Sequence, residues 1–91
     1  MPKKTYTFTT TQRCVLCITV GGTHGWGYSY ALKIRDMSKS GYLHNDEKQE
    51  LVTKTCYMYL PANSKIQIEA VWTLVDTYHF DVWLGIQKVT F

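Results

Sequence analysis

The chain has 91 residues, which suits one folded domain spanning residues 1–91. Hydrophobic residues make up 45% of it and charged residues 19%, a composition that is typical of a globular domain and excludes an intrinsically disordered chain. The formal net charge of +3 is spread along the chain and only two arginines are present, so the charge weakly favours an acidic partner and disfavours nucleic acid.

The N-terminus and the cysteines give an expectation for the cellular compartment of the protein. No apolar run approaches the roughly 18 to 20 residues of a membrane span, and the first eleven residues contain no signal-peptide core. Three cysteines allow at most one disulfide, so we expect a reduced, cytoplasmic chain in preference to a secreted one. If the chain is oxidised, Cys14 and Cys56 are the candidate pair, because both lie in the inward phase of their strands.

The first half of the chain predicts three strands and one irregular loop. Residues 5–11 alternate threonine with aromatic residues, and residues 14–20 form a dense apolar run that is typical of a central strand. Residues 21–27 contain four glycines and indicate a loop that presents Trp26. Residues 28–35 alternate again, which indicates a half-buried strand.

The second half begins with a polar segment and continues with three strands. Residues 36–49 are interpreted as a long connection, in which Asn45 caps one helical turn. Alternating patterns then predict strands within residues 51–60, 65–75 and 78–91. About six strands with short turns predict an all-β fold, either a small antiparallel β-sandwich or a partly closed barrel.

The residues that carry chemistry do not form a recognisable motif. Cys14 and Cys17 have the C-x-x-C spacing, but residues three apart in an extended strand point to opposite faces, so we expect neither a metal site nor any other cofactor. His79 and Asp81 lie on the same face of a predicted strand. A solvent-exposed polar face accounts for this pair without a catalytic role. No nucleophile elbow or phosphate-binding loop is present, so we do not expect an enzyme or any catalytic residue.

Aromatic residues in the outward phase indicate a binding surface, because tyrosine and tryptophan combine a large apolar face with a polar group. The candidate ligand-binding residues are Trp26, Tyr57, Tyr59, His79, Asp81 and Trp83. We therefore expect a non-enzymatic, lectin-like binding module for a carbohydrate, a lipid headgroup or a membrane surface. A toxin or effector that engages a host surface is one concrete version.

Two alternative functions are also consistent with the sequence. In the first, the aromatic patch is an interface, either of a homo-oligomer or with a protein partner. In the second, Cys14, Cys17 and Cys56 form the centre of a thiol-dependent or metal-dependent protein.

Overall fold

The strands of this chain were located in a computed structural model, which describes residues 3–22, 28–50, 54–74 and 82–90. Within these ranges the strands are β1 (Lys3–Thr9), β2 (Cys14–Gly22), β3 (Tyr28–Asp36), β4 (His44–Glu50), β5 (Lys54–Leu60), β6 (Lys65–Leu74) and β7 (Val82–Thr90). The prediction of an all-β fold is confirmed. Across the described ranges, no helix has the length and hydropathy needed to cross a membrane.

The strands form two antiparallel sheets that pack face to face. The four-stranded sheet has the order β1-β6-β3-β4, and the three-stranded sheet has the order β5-β2-β7. Because the sheets remain separate, the predicted β-sandwich is confirmed and the structure is not a closed barrel. The dense apolar strand β2 occupies the centre of its sheet, as its sequence predicts.

The core is built from the inward-facing side chains of both sheets, as period-two alternation predicts. The buried hydrophobic residues are Cys14, Leu16, Ile18, Val20, Tyr30, Leu32, Ile34, Leu60, Ile66, Ile68, Ala70, Trp72 and Leu84. Trp72 of β6 is fully buried, and its indole Nε1 donates a hydrogen bond of 3.2 Å to the carbonyl oxygen of Gly21 in β2. This hydrogen bond thus links the two sheets across the core.

The interpretation of residues 36–49 as a connection with a helical turn at Asn45 is wrong. Residues 44–50 form β4, which pairs with β3 through a register shift between Tyr30 and Leu32. Among the described strands, β4 lies at the edge of its sheet and pairs with β3 alone. Charged residues are common in edge strands, because they discourage pairing with other chains.

The two sheets are also joined at one end by adjacent turns. The fully buried Thr10 follows β1, and its hydroxyl donates a hydrogen bond of 2.7 Å to the carbonyl of Pro61. The same hydroxyl accepts a hydrogen bond of 2.8 Å from the backbone N–H of Ser64. Asn63 occupies the left-handed region with a φ of 63°, which asparagine tolerates better than most residues.

Candidate functional site

The outward-facing positions of β5, β2 and β7 form one continuous surface, which we call the aromatic face. The members of the aromatic face are Val15, Cys17, Thr19, Gly21, Thr55, Tyr57, Tyr59, Trp83, Gly85, Gln87 and Val89. They form rows across the sheet, because antiparallel pairing places residues directly opposite one another. One row is Tyr59, Val15 and Val89, and the next is Tyr57, Cys17 and Gln87.

The large side chains of the aromatic face are exposed. Tyr57 is 71% exposed and Tyr59 58%, while Val89 is 55% and Trp83 36% exposed. Tyr57 and Tyr59 lie on the same side of β5, about 7 Å apart along the strand. Trp83 lies opposite Gly21, about 17 Å from Tyr57 by strand and residue spacing. The tyrosines are thus neighbours, and a ligand that also reaches Trp83 must be extended.

The aromatic face carries no charged side chain at any described position. Lys54 and Lys88 lie in the inward phase of the edge strands, at the rim of the sandwich, and both are exposed. The opposite surface of the molecule, the outward side of the four-stranded sheet, differs sharply. We call it the charged face, and it includes Lys3, Lys33, Arg35, Lys65 and Glu69.

The side chains of the charged face interact with one another. Arg35 Nε donates a hydrogen bond of 3.0 Å to Gln67 Oε1, and Lys3 Nζ lies 3.5 Å from Glu69 Oε2. Lys33 Nζ lies 5.7 Å from the centre of the Tyr42 ring, within cation–π range. The charged face is therefore a solvated surface with local pairing.

The predicted ligand-binding residues divide into two groups. Tyr57, Tyr59 and Trp83 share the aromatic face. Trp26, His79 and Asp81 lie outside the described residues.

The predicted disulfide between Cys14 and Cys56 is not formed, and all three cysteines are free. Cys56 lies opposite Ile18, four residues along β2 from Cys14, which places the two cysteines about 14 Å apart along the strands. Disulfide bonding requires Cα atoms within about 7 Å. Cys14 is buried and Cys17 faces outward, as the strand geometry of the C-x-x-C spacing predicts.

The apolar row of the aromatic face was missed by sequence reasoning. Val15 lies between Tyr59 and Val89 in one row across the sheet, and neither valine was predicted as a candidate residue. The outward position of Val89 could have been predicted from the sequence. Val89 lies an even number of residues from the outward Trp83 and an odd number from the inward Leu84 and Ile86. The strand pairing that puts these residues in one row could not be read from the sequence.

A second cluster lies where the edge strands β4 and β5 approach each other. Asp46 Oδ2 lies 2.9 Å from His44 Nε2, and Cys56 Sγ lies 3.8 Å from His44 Nδ1. Burial, with Asp46 and Cys17 contributing, raises the pKa of the Cys56 thiol. Burial, with Asp46 and Cys56 contributing, also raises the pKa of the Tyr30 phenol. Asp46 and Cys56 contact different ring nitrogens, and no metal-binding group of three or more His, Cys, Asp or Glu occurs among the described residues.

Comparisons with known proteins give no relative from which a function could be transferred: no family model, no curated protein and no solved structure matches the chain.

Proposed function

We propose that this protein is a binding module whose aromatic face binds a neutral carbohydrate chain. The observation that supports it is the combination of exposed Tyr57, Tyr59 and Trp83 with the lack of charged side chains at the described positions of this face. The apolar faces of sugar rings stack on aromatic rings, while their hydroxyls seek polar neighbours. The side chains of Thr55 and Gln87 supply such neighbours on the same face.

The spacing of the aromatic rings favours a chain of several sugar units over a single one. Tyr57 and Tyr59 are close enough for one ligand to contact both, and Trp83 extends the surface along β7. Stacked pairs of aromatic rings contribute about 0.5 to 1.5 kcal/mol beyond the area that they bury, and we expect a ring stacked on a sugar to contribute a similar amount. Several weak contacts along one chain then add up to useful affinity.

The charge distribution favours a neutral carbohydrate over a lipid headgroup or an anionic membrane. Anionic surfaces attract proteins through clustered lysine and arginine side chains. In this protein Lys33, Arg35 and Lys65 lie on the charged face, which is the opposite side of the sandwich. A membrane bound to the aromatic face would therefore gain little from the net positive charge.

The size of the aromatic face favours a small ligand over self-association. A face of three strands and seven residues measures roughly 14 by 24 Å, or about 350 Å². Stable protein–protein interfaces bury about 800 Å² on each partner. A homo-oligomer built on this face alone would be weak, so the assembly hypothesis is the second candidate.

Binding to neutral polysaccharides tests the proposal. Affinity electrophoresis of the protein in gels containing unsubstituted glucans, xylans and mannans should show retardation in at least one. Tyr57→Ala and Tyr59→Ala should each weaken that binding by about fivefold to tenfold, because each removes one stacking ring. Tyr6→Ala is the matched control: Tyr6 is 52% exposed but lies on β1 of the other sheet, so its loss should leave binding unchanged.

Three results would contradict the proposal. The first is the absence of retardation in every polysaccharide gel. The second is co-sedimentation with phosphatidylserine vesicles that Tyr57→Ala abolishes, which would assign the face to a membrane. The third is a dimer in light scattering that Tyr57→Ala converts to a monomer, which would assign the face to assembly.

A further inference from the structure

His44, Asp46 and Cys56 are aligned through the two nitrogens of one imidazole ring. The carboxylate of Asp46 lies 2.9 Å from Nε2, and the thiol of Cys56 lies 3.8 Å from Nδ1. His44 and Asp46 lie two residues apart on β4, so both face the inner side of the sheet, where Cys56 of β5 reaches them from the opposite sheet. The packing of the two sheets brings the three side chains together.

The contact with Asp46 determines which ring nitrogen can act as a base. An ionised carboxylate only accepts hydrogen bonds, so it selects the tautomer of His44 in which Nε2 carries the hydrogen. Nδ1 then has a free lone pair, and it is the nitrogen that faces the Cys56 sulfur. A nucleophile beside a base that a third group orients is the arrangement used in covalent catalysis.

The environment of Cys56 makes a base necessary. Its half-buried position, with Asp46 and Cys17 adding to the effect of burial, raises the pKa of the thiol, so the thiol form dominates at neutral pH. Reaction with an electrophile therefore requires proton removal during the attack, and Nδ1 of His44 is placed to accept that proton.

The cluster is accessible from solvent. The side chains of His44 and Asp46 are 25% and 41% exposed.

We propose that Cys56 is a nucleophile that accepts an acyl group from activated esters and thioesters, with His44 as its base and Asp46 as the residue that positions His44. The Cys56 sulfur attacks the carbonyl carbon and forms a new S–C bond, and the thiol proton passes to His44 Nδ1. The bond from the carbonyl carbon to the alcohol or thiol leaving group breaks, and the proton on Nδ1 passes to that group. The products are an S-acylated Cys56 and the free alcohol or thiol.

Acetylation by p-nitrophenyl acetate, with an acetyl thioester as a second donor, tests the proposal. Peptide mass mapping should show acetylation of Cys56 well ahead of Cys17, which is also partly exposed and serves as an internal reference. His44→Gln should slow acetylation of Cys56 by roughly 100-fold, because general-base assistance contributes at least that much. Cys17→Ser removes only the smaller contribution of Cys17 to the raised pKa of Cys56, so it should change the rate at Cys56 far less than His44→Gln does.

Chemical rescue separates a base from a merely structural residue. In His44→Ala, added imidazole should restore acetylation of Cys56 relative to Cys17 in the same sample, and Asp46→Asn should give a rate between those of the wild type and His44→Gln. Circular dichroism confirms that each variant is folded; if His44→Ala is not, the rate of His44→Gln decides. Equal acetylation of Cys17 and Cys56, or a wild-type rate in His44→Gln, would overturn the proposal, as would a folded His44→Ala that imidazole does not rescue.

Discussion

Asp36 is a buried carboxylate at the end of β3, and the residues just after it determine its charge state. Its Oδ1 accepts a hydrogen bond of 2.6 Å from the hydroxyl of Ser38 and another of 3.0 Å from the backbone N–H of the same residue. These two bonds hold the pKa of the Asp36 carboxyl below its ordinary value, the hydroxyl bond contributing most. The ionised form therefore stabilises the turn that leaves β3.

Replacing Ser38 by alanine should make the protein more sensitive to acid. Because the pKa of Asp36 is lowered in the folded state, its contribution to stability is complete above about pH 4 and is lost as the pH falls through the folded value. Ser38→Ala removes the stronger bond, so the folded pKa should rise and acid unfolding should begin at a higher pH. Fluorescence-monitored acid titration measures this shift. Ser40→Ala, a change at an exposed serine of the same loop, is the control and should leave the midpoint of acid unfolding unchanged. An unshifted midpoint in Ser38→Ala would contradict the expectation.

At the scale of elements, Thr10 joins the turn after β1 to the turn between β5 and β6. The hydroxyl of Thr10 serves as donor to the Pro61 carbonyl and as acceptor for the Ser64 N–H. Backbone bonds from Thr10 N to Ser64 O and from Asn63 N to Thr10 O reinforce the contact. One buried side chain therefore holds together two turns that lie about fifty residues apart in the chain.

Thr10→Val should destabilise the fold by about 2 kcal/mol, because it keeps the shape of the side chain but leaves the buried N–H of Ser64 without its acceptor and removes one of the two hydrogen bonds to the Pro61 carbonyl. Urea unfolding followed by tryptophan fluorescence measures the change in the free energy of unfolding. Thr7→Val, an exposed outward position of β1, is the control and should change stability by less than about 0.5 kcal/mol. A loss in Thr10→Val no larger than that of the control would show that the turns do not depend on this side chain.

The edge strand β4 shows where sequence patterning stops being informative about the fold. Alternation identified β6 because its inward residues Ile66, Ile68 and Trp72 are all buried apolar side chains. The sequence HNDEKQE of β4 has no such alternation, because its strand is held by pairing with β3 and its inward His44 and Asp46 face a polar cluster at the rim. Patterning detects the alternation of apolar and polar residues, so a strand with polar residues at its inward positions is not detected by it.

The same limit explains what was predictable about the candidate site. The outward phase of Tyr57, Tyr59 and Trp83 followed from the sequence, since phase within a strand needs no partner. Their common face and their neighbours required the pairing order β5-β2-β7, which depends on long-range contacts. The cluster of His44 with Cys56 required the packing of one sheet on the other, which no local pattern encodes.

For the whole molecule, the important asymmetry is between the two outer surfaces of the sandwich. The charged face carries both signs and pairs Lys3 with Glu69, whereas the described positions of the aromatic face carry no charge. Ionic strength acts on interactions between exposed charges and leaves stacking and hydrophobic contacts nearly unchanged or slightly stronger. Salt dependence therefore reports which face a ligand occupies.

Binding of a neutral polysaccharide should change by less than about twofold when the salt concentration is raised roughly tenfold, because the aromatic face offers no charge to screen. Affinity electrophoresis at two ionic strengths measures this. A sulfated polysaccharide is the useful contrast: any affinity it has for the basic side chains of the charged face should fall steeply over the same range and should be weakened by Arg35→Gln. If binding of the neutral chain instead falls steeply with salt and responds to Arg35→Gln, the ligand occupies the four-stranded sheet, and the aromatic rings of β5 and β7 are not its site.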